Sequence, residues 1–266
     1  MSTLQQPLLR LPTGPADREQ SYRDAGHEPA IKLVSSTMLK RYVDGRLIQS
    51  KDMVAVEAPL HIHLSGHPEI VIARTPGDDI HLITGHLFSL GLIKSVDDLL
   101  GIQFTGNDKD QAVVSLKQYR RQDCILPIDA HLRIHPEELF LLRNQFEERQ
   151  KLYHSTGSTH AAALFHRNGH MVAYGEDVSR HCAFDKAVGK AIARGALADA
   201  DIAMLTSRLA QELTVKAAMA NIPILCGFSA ASSAGISFAQ RNDITLIGRI
   251  RRDSFTVYVD SHRIYS

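Results

Sequence analysis

The chain has 266 residues, with 30 Lys and Arg against 29 Asp and Glu, a formal charge of +1. That balance excludes a nucleic-acid or membrane surface driven by bulk charge, and no run approaches the roughly 18 apolar residues of a membrane-spanning helix. The N-terminus lacks a basic region followed by an apolar run, and the three widely spaced cysteines, Cys124, Cys182 and Cys226, fit reduced thiols, so a cytoplasmic protein is expected.

Residues 1 to 36 carry Pro, Gly and mixed charge without period, which predicts a mobile tail. Strand-like stretches follow in "RYVDGRLIQ", "MVAVEAPLHIHL" and "EIVIART", the last two separated by a Ser65-Gly66 turn. "TPGDDIHLITGHLFSLG" predicts a helix with Thr75 as N-cap, Pro76 at its first position and Gly91 at its end. "AVVSLKQY" predicts another strand, and the polar stretch around Cys124 marks a domain boundary. The second half is more regular. A helix starts at Pro136. "HAAALFH" and "HMVAYGE" flank a hairpin at Arg167-Asn168-Gly169, and helices then alternate with the continuous apolar strands "ADIAMLT", "IPILCGF" and "ITLIGRI" before a last strand, "FTVYV". This alternation predicts an α/β fold with a partly parallel sheet covered on both faces.

The helix after "AYGEDVSRH" combines an apolar stripe, Phe184, Ala187, Val188, Ala191 and Ile192, with an ionisable start. Cys182, Lys186 and Lys190 are expected to point away from the stripe, and His181 and Asp185, four apart, to touch. Asp177 or Ser179 can cap the first turn, and free N–H groups at a helix start suit a phosphate. The same residue types recur where "LTSRL" and "GFSAASSAG" join strand to helix, placing Ser207, Arg208, Ser229, Ser232 and Ser233 at such junctions. In an open parallel sheet these junctions lie together beyond the strand C-termini, where ligands bind. Two arginines, Arg180 and Arg208, with several hydroxyls then suit a polyanion such as a nucleotide diphosphate. "GRIRRDS" adds Arg249 and Arg251 on one face of a strand end and Arg252 on the other. Plainer readings stand beside these: simple caps, a structural His181–Asp185 hydrogen bond, a Glu212–Lys216 helical ion pair and a solvated basic edge. Recurrence at three junctions, rather than any single residue, favours a site.

The chain has no phosphate loop, no Gly-x-Gly-x-x-Gly and no nucleophile elbow. Zinc deaminases need His or Cys with Glu at one helix start and Pro-Cys-x-x-Cys at the next; "SRHC" and "TSRL" stand here instead, so no zinc is expected. His61, His63, His67 and His81 are scattered and read as solvated.

Four long motifs, in order, resemble the formate dehydrogenase accessory sulfurtransferases of the FdhD/NarQ type: "TGSTHAAAL", "EDVSRHCAFDKAVG", "TSRLAQELTVKAA" and "SAASSAG". "ARTPGDDIHLITGHLFSLGLI" is similar to the family's Thr-Pro helix, with His86 where the family has Phe and Leu90 where it has Glu. The resemblance covers about residues 50 to 260. It implies a cytidine-deaminase-like, three-layer αβα domain with a mixed sheet over 136–266, a smaller α+β domain over 37–135, and a homodimer. It also implies a role in formate dehydrogenase maturation. Members accept persulfide sulfur from a cysteine desulfurase and pass it to molybdenum in the bis(molybdopterin guanine dinucleotide) cofactor, for which a guanine nucleotide is a mimic. The implied cofactor segment is Arg249, Ile250, Arg251, Arg252, Asp253 and Ser254. His160, Asp177, Arg180, His181, Ser207 and Arg208 fall in the matched motifs. One departure is plain: where the family carries Cys-Gly-x-Cys, "RRQDCILP" keeps only Cys124, beside Arg120 and Arg121, cations that favour its thiolate. A lone thiol can carry one persulfide. The alternative is a cofactor-binding chaperone without sulfur transfer.

Overall fold

The computed structural model describes residues 32–106, 110–117 and 132–265. The calls on Cys124, on its loop and on the chain before residue 32 lie outside these residues. Val34–Ser36, expected to close the tail, instead begin β1 (Val34–Val43), which pairs antiparallel with β2 (Arg46–Ala55). The turn between them is Asp44-Gly45, both at positive φ (48° and 80°), the backbone that a two-residue hairpin turn demands.

A four-stranded sheet follows, in the order β4-β3-β6-β5, from β3 (Ala58–Leu64), β4 (Ile70–Arg74), β5 (Leu99–Thr105) and β6 (Gln111–Leu116). β3 and β4 join through Ser65-Gly66 as expected, and β3 runs parallel to β6. Between β4 and β5 lies α1 (Asp79–Ser89). It starts later than the Thr-Pro signal predicts. Gly77 and Asp78 sit at φ 90° and 57°, so Thr75–Asp78 form a loop and Thr75 caps no helix. Thr75 is buried and instead joins the two halves of the chain: its N–H donates to Asp177 Oδ2 (3.1 Å) and its Oγ1 accepts from Val178 N (3.2 Å). Gly91, at φ 69°, ends the helix region as read.

The larger sheet has six strands in the order β12-β11-β10-β9-β7-β8: β7 (His160–Phe165), β8 (Met171–Asp177), β9 (Ile202–Leu205), β10 (Ile224–Gly227), β11 (Thr245–Gly248) and β12 (Thr256–Val259). β9, β10 and β11 are parallel, while β7, β8 and β12 each run antiparallel to a neighbour, so the sheet is mixed. Alternating side chains feed two cores. Ala161, Ala163, Phe165, Met204, Cys226 and Ile247 meet Leu139, Leu142 and Phe146 of α2 (Pro136–Arg149). Ala162, Leu164, Ala203, Leu205 and Leu225 meet α4 (Arg180–Ala193), α5 (Gln211–Met219) and α6 (Ser233–Arg241). A short α3 (Lys151–Thr156) follows α2.

α4 is the hinge of the architecture. One face packs on the six-stranded sheet, as its apolar stripe predicts. A second side packs on α1 through Asp185 and Gly189, and Ile83 and Leu87 of α1 belong to the same core as the stripe. Two glycines set the crossing: a Cβ on Gly85 would lie 1.9 Å from the Asp185 carbonyl oxygen, and one on Gly189 1.9 Å from that of His81. Cys182 and Lys186, expected to face away from the core, are therefore buried (3% and 2% exposed), because the first half of the chain covers that side of the helix.

Candidate functional site

β9, β10 and β11 end at the edge of the larger sheet where β8 ends and β7 begins, because β7 runs antiparallel to β9. Backbone hydrogen bonds link the turns along it: Thr206 N to Ala161 O (3.1 Å), Phe228 N to Leu205 O (2.9 Å), Leu209 N to Ala230 O (3.0 Å) and Arg249 N to Ser229 O (3.0 Å). The chain turns read as one crevice mouth are thus neighbours in space. Two of the three helix starts have side-chain caps, Ser179 accepting from Cys182 N (3.5 Å) and Ser232 from Gly235 N (3.1 Å). The third differs from expectation. α5 begins at Gln211, so Ser207 and Arg208 lie in the loop before it rather than at its first turn.

His160 opens β7, between β9 and the edge strand β8. Its Nδ1 is 3.2 Å from Thr206 Oγ1, an oxygen that also accepts from Ala161 N at 3.0 Å. Partial burial, then the nearby guanidinium groups of Arg180 and Arg208, push the imidazole below its usual 6.5, so it is neutral at pH 7. Arg180 Nε is buried with no hydrogen-bond partner among the described residues. Arg208 is exposed, whereas Ser207 is 5% exposed and donates its hydroxyl to the Arg208 carbonyl (3.2 Å). His160, Arg180 and Arg208 gather at the strand ends, with the two guanidinium groups supplying the positive charge.

Several other calls are corrected. Asp177 is fully buried, 2.8 Å from Lys186 Nζ, and accepts from Thr75 N and Ser179 N (3.1 and 2.9 Å); it ties the halves together and faces no open crevice. Burial raises its carboxyl against the pull of Lys186. His181 does not bond Asp185. Its Nε2 meets Glu212 Oε2 at 3.0 Å, and Asp185 instead accepts from Ser89 Oγ (2.9 Å) and Lys216 Nζ (2.5 Å) and lies 3.1 Å from His86 Nδ1. The Glu212–Lys216 helical pair is accordingly replaced by these two contacts, since α4 presents Asp185 to Lys216 and His181 to Glu212. Burial, then Lys216 and Arg180, hold His181 below its usual range. Arg249 sits at φ 53°, which breaks strand alternation, so Arg249, Arg251 and Arg252 are not sorted to opposite faces as on a strand. All three, with Asp253 and Ser254, are exposed, and Ile250 is buried. The turn is pinned at this edge by Arg251, whose N–H donates to Ser254 O (2.7 Å) and whose Nη1 donates to Phe228 O (2.8 Å).

The two described cysteines are buried. Burial pushes Cys182 up to about 12 and Cys226 higher still; Cys182 Sγ donates to Ala73 O (3.6 Å), and neither is a ready thiolate. His61 and His63, read as solvated, lie 2.9 and 3.6 Å from the exposed Glu69 just before β4. Among the described residues no group of His, Cys, Asp and Glu is placed to hold a metal ion. Sequence reasoning missed the role of Glu176. Its carboxylate accepts from Leu152 N (3.2 Å), Tyr153 N (2.6 Å), Thr159 Oγ1 (3.1 Å) and Tyr174 Oη (3.0 Å), fixing the start of α3 and the approach to His160. Only the acidic pair Glu176-Asp177 hinted at it.

Fold and site together define an α/β protein of three sheets among the described residues, whose six-stranded sheet carries arginine side chains at its strand ends. The model of the FdhD/NarQ family matches residues 55–265, and the chain belongs to that family. It is 34% identical over 262 residues to the sulfur carrier protein FdhD of Streptomyces avermitilis, covering 84% of this chain and 93% of that one. To the sulfur carrier protein FdhD of Saccharolobus solfataricus it is 32% identical, covering 85% and 96%. A crystal structure described as that of a formate dehydrogenase accessory protein from Desulfotalea psychrophila superposes with a TM-score of 0.76 over 88% of this chain and all of that one; at 24% identity this likeness concerns the fold.

Proposed function

We propose that this protein is a sulfur carrier in formate dehydrogenase maturation, with a deaminase-like C-terminal half that holds the bis(molybdopterin guanine dinucleotide) cofactor as cargo. The observation that carries the reading is the His160, Arg180 and Arg208 group at the strand ends, with one guanidinium nitrogen left buried and unpartnered. A buried cationic N–H without an acceptor is costly, and a phosphate oxygen satisfies it. The exposed Arg249–Ser254 turn lies along the same edge and extends the cationic surface toward a long ligand. Relatives named as sulfur carriers support the role.

In this reading the Cys124 thiolate attacks the outer sulfur of a desulfurase cysteine persulfide. A new S–S bond forms at Cys124, the donor's S–S bond breaks, and the donor cysteine leaves as thiolate. Cys124→Ala is expected to abolish transfer of labelled sulfur from the desulfurase; mass spectrometry of the wild-type chain should show a single added sulfur at Cys124. Unchanged transfer in the variant removes Cys124 from the mechanism, whereas transfer absent in wild type and variant alike, with formate dehydrogenase maturation left intact by the substitution, favours a binding chaperone.

The cation group is tested separately with guanosine diphosphate as probe. Arg180→Ala and Arg208→Ala should each weaken binding about tenfold, the usual worth of a charged hydrogen bond. The sign with pH follows from His160. Its folded pKa lies below 6.5, and a bound anion raises it, so binding takes up a proton and affinity rises as pH falls through the range just below 6.5. Titration calorimetry from pH 5.5 to 8 measures both effects, and pH-independent affinity would take His160 out of the site.

A further inference from the structure

The β1–β2 hairpin is the least explained part of the molecule. It precedes the family match, which begins at residue 55, and forms a two-stranded sheet of its own. Two-stranded ribbons are marginal in water unless something covers a face. Residues directly opposite in the register share a face. Met38 faces Lys51, Lys40 faces Gln49, Tyr42 faces Leu47 and Ser36 faces Met53, so these side chains line one side. All are exposed: Met38 by 63%, Tyr42 by 70%, Leu47 by 66% and Met53 by 42%. The other side carries Leu39, Ser50 and Asp52, which are partly covered, an Arg41–Asp52 ion pair at 3.6 Å, and apolar side chains exposed to a lesser degree, Val43, Ile48 and Val54 (40%, 48% and 38%). Four large apolar side chains therefore stand together on an open face, a feature that marks an interaction surface.

Charge decides the occupant. The open face carries Lys40 and Lys51, no carboxylate, and neither lysine has an ion-pair partner among the described residues. A second copy seated by the same face would set lysine against lysine. A lipid surface would satisfy the lysines, but each strand of the ribbon also has a backbone edge with no strand paired to it among the described residues, which hydrocarbon cannot serve and a protein can. We propose that the Met38, Tyr42, Leu47 and Met53 face is a docking surface for a partner protein presenting an apolar patch rimmed by carboxylates. Resting on the sulfur-carrier reading, that partner is one of the two proteins between which sulfur passes.

The test measures binding of the full chain to two purified proteins, the cysteine desulfurase and the cofactor-free formate dehydrogenase, at several salt concentrations. Tyr42→Glu with Leu47→Glu should weaken binding to one of them by about tenfold or more, with the thermal midpoint unchanged. Lys40→Glu with Lys51→Glu should weaken the same complex and flatten its salt dependence. Unaltered affinity for both proteins overturns the inference, as it would if residues 1–31 of the chain itself cover the face. A loss confined to phosphatidylserine vesicles, or to self-association, also overturns it. A wild-type chain that binds neither protein overturns it together with the sulfur-carrier reading, whereas binding that survives the substitutions leaves that reading standing.

Discussion

Gly85→Ala is expected to destabilise the protein by about 3 kcal/mol or more, the upper range for overpacking a closed contact. The new methyl group would lie 1.9 Å from the backbone oxygen of Asp185, and a helix backbone cannot yield as a flexible side chain can. For a chain of this size the thermal midpoint should fall by roughly 6–12 °C. Gly189→Ala meets the His81 carbonyl oxygen at the same 1.9 Å across the same crossing and should cost a similar amount. Once either methyl has forced α1 and α4 apart the other finds room, so the double variant should cost less than the sum of the two. Calorimetry or urea unfolding measures all three. A Gly85→Ala change within about 0.5 kcal/mol of wild type would mean that the helices do not touch as described.

The second large effect is expected at the buried pair. Lys186→Met should cost about 3–5 kcal/mol, because it leaves the Asp177 carboxylate buried without its cation. The pH dependence identifies the cause. Without Lys186 the folded-state pKa of Asp177 rises further above its unfolded value, so the folded state holds the proton more tightly and stability is lost as pH rises through that raised pKa. The deficit of Lys186→Met relative to wild type should thus be smaller at pH 5 than at pH 8. Adding Asp177→Asn removes the buried charge and should recover a large part of the loss at pH 8. A deficit independent of pH, with no recovery in the double variant, would show that Lys186 acts through packing alone.

Both effects concern positions whose meaning is hidden in the chain order. The helix starting at Arg180 is legible as amphipathic, and its apolar stripe does pack on the sheet. Its glycine, buried lysine and buried cysteine look like an exposed polar side until a second helix covers them. Thr75-Pro76 is a good local helix-start signal, but Asp78 adopts a left-handed conformation and Thr75 bonds to Asp177 and Val178 instead. The His181–Asp185 spacing permits contact, yet Asp185 is taken by His86, Ser89 and Lys216, two of them from α1. At the candidate site, the residue types at successive strand ends were readable, and the sheet brings His160, Arg180 and Arg208 together. Ser207 and Asp177 were misplaced because burial depends on what packs over them.

The sequence by itself determined most strands and helices and the Ser65-Gly66 and Asn168-Gly169 turns, since apolar runs, alternation and turn pairs act over a few residues, although it left the Asp44-Gly45 turn inside one strand-like stretch. It also determined that strand-to-helix junctions carry arginine and hydroxyl side chains. Only the tertiary structure decided which of those side chains meet solvent and which meet each other. Burial, ion pairing and helix crossing join residues about 100 positions apart, such as Thr75 with Asp177 and Gly85 with Asp185, and no local pattern encodes which partner closes over which face.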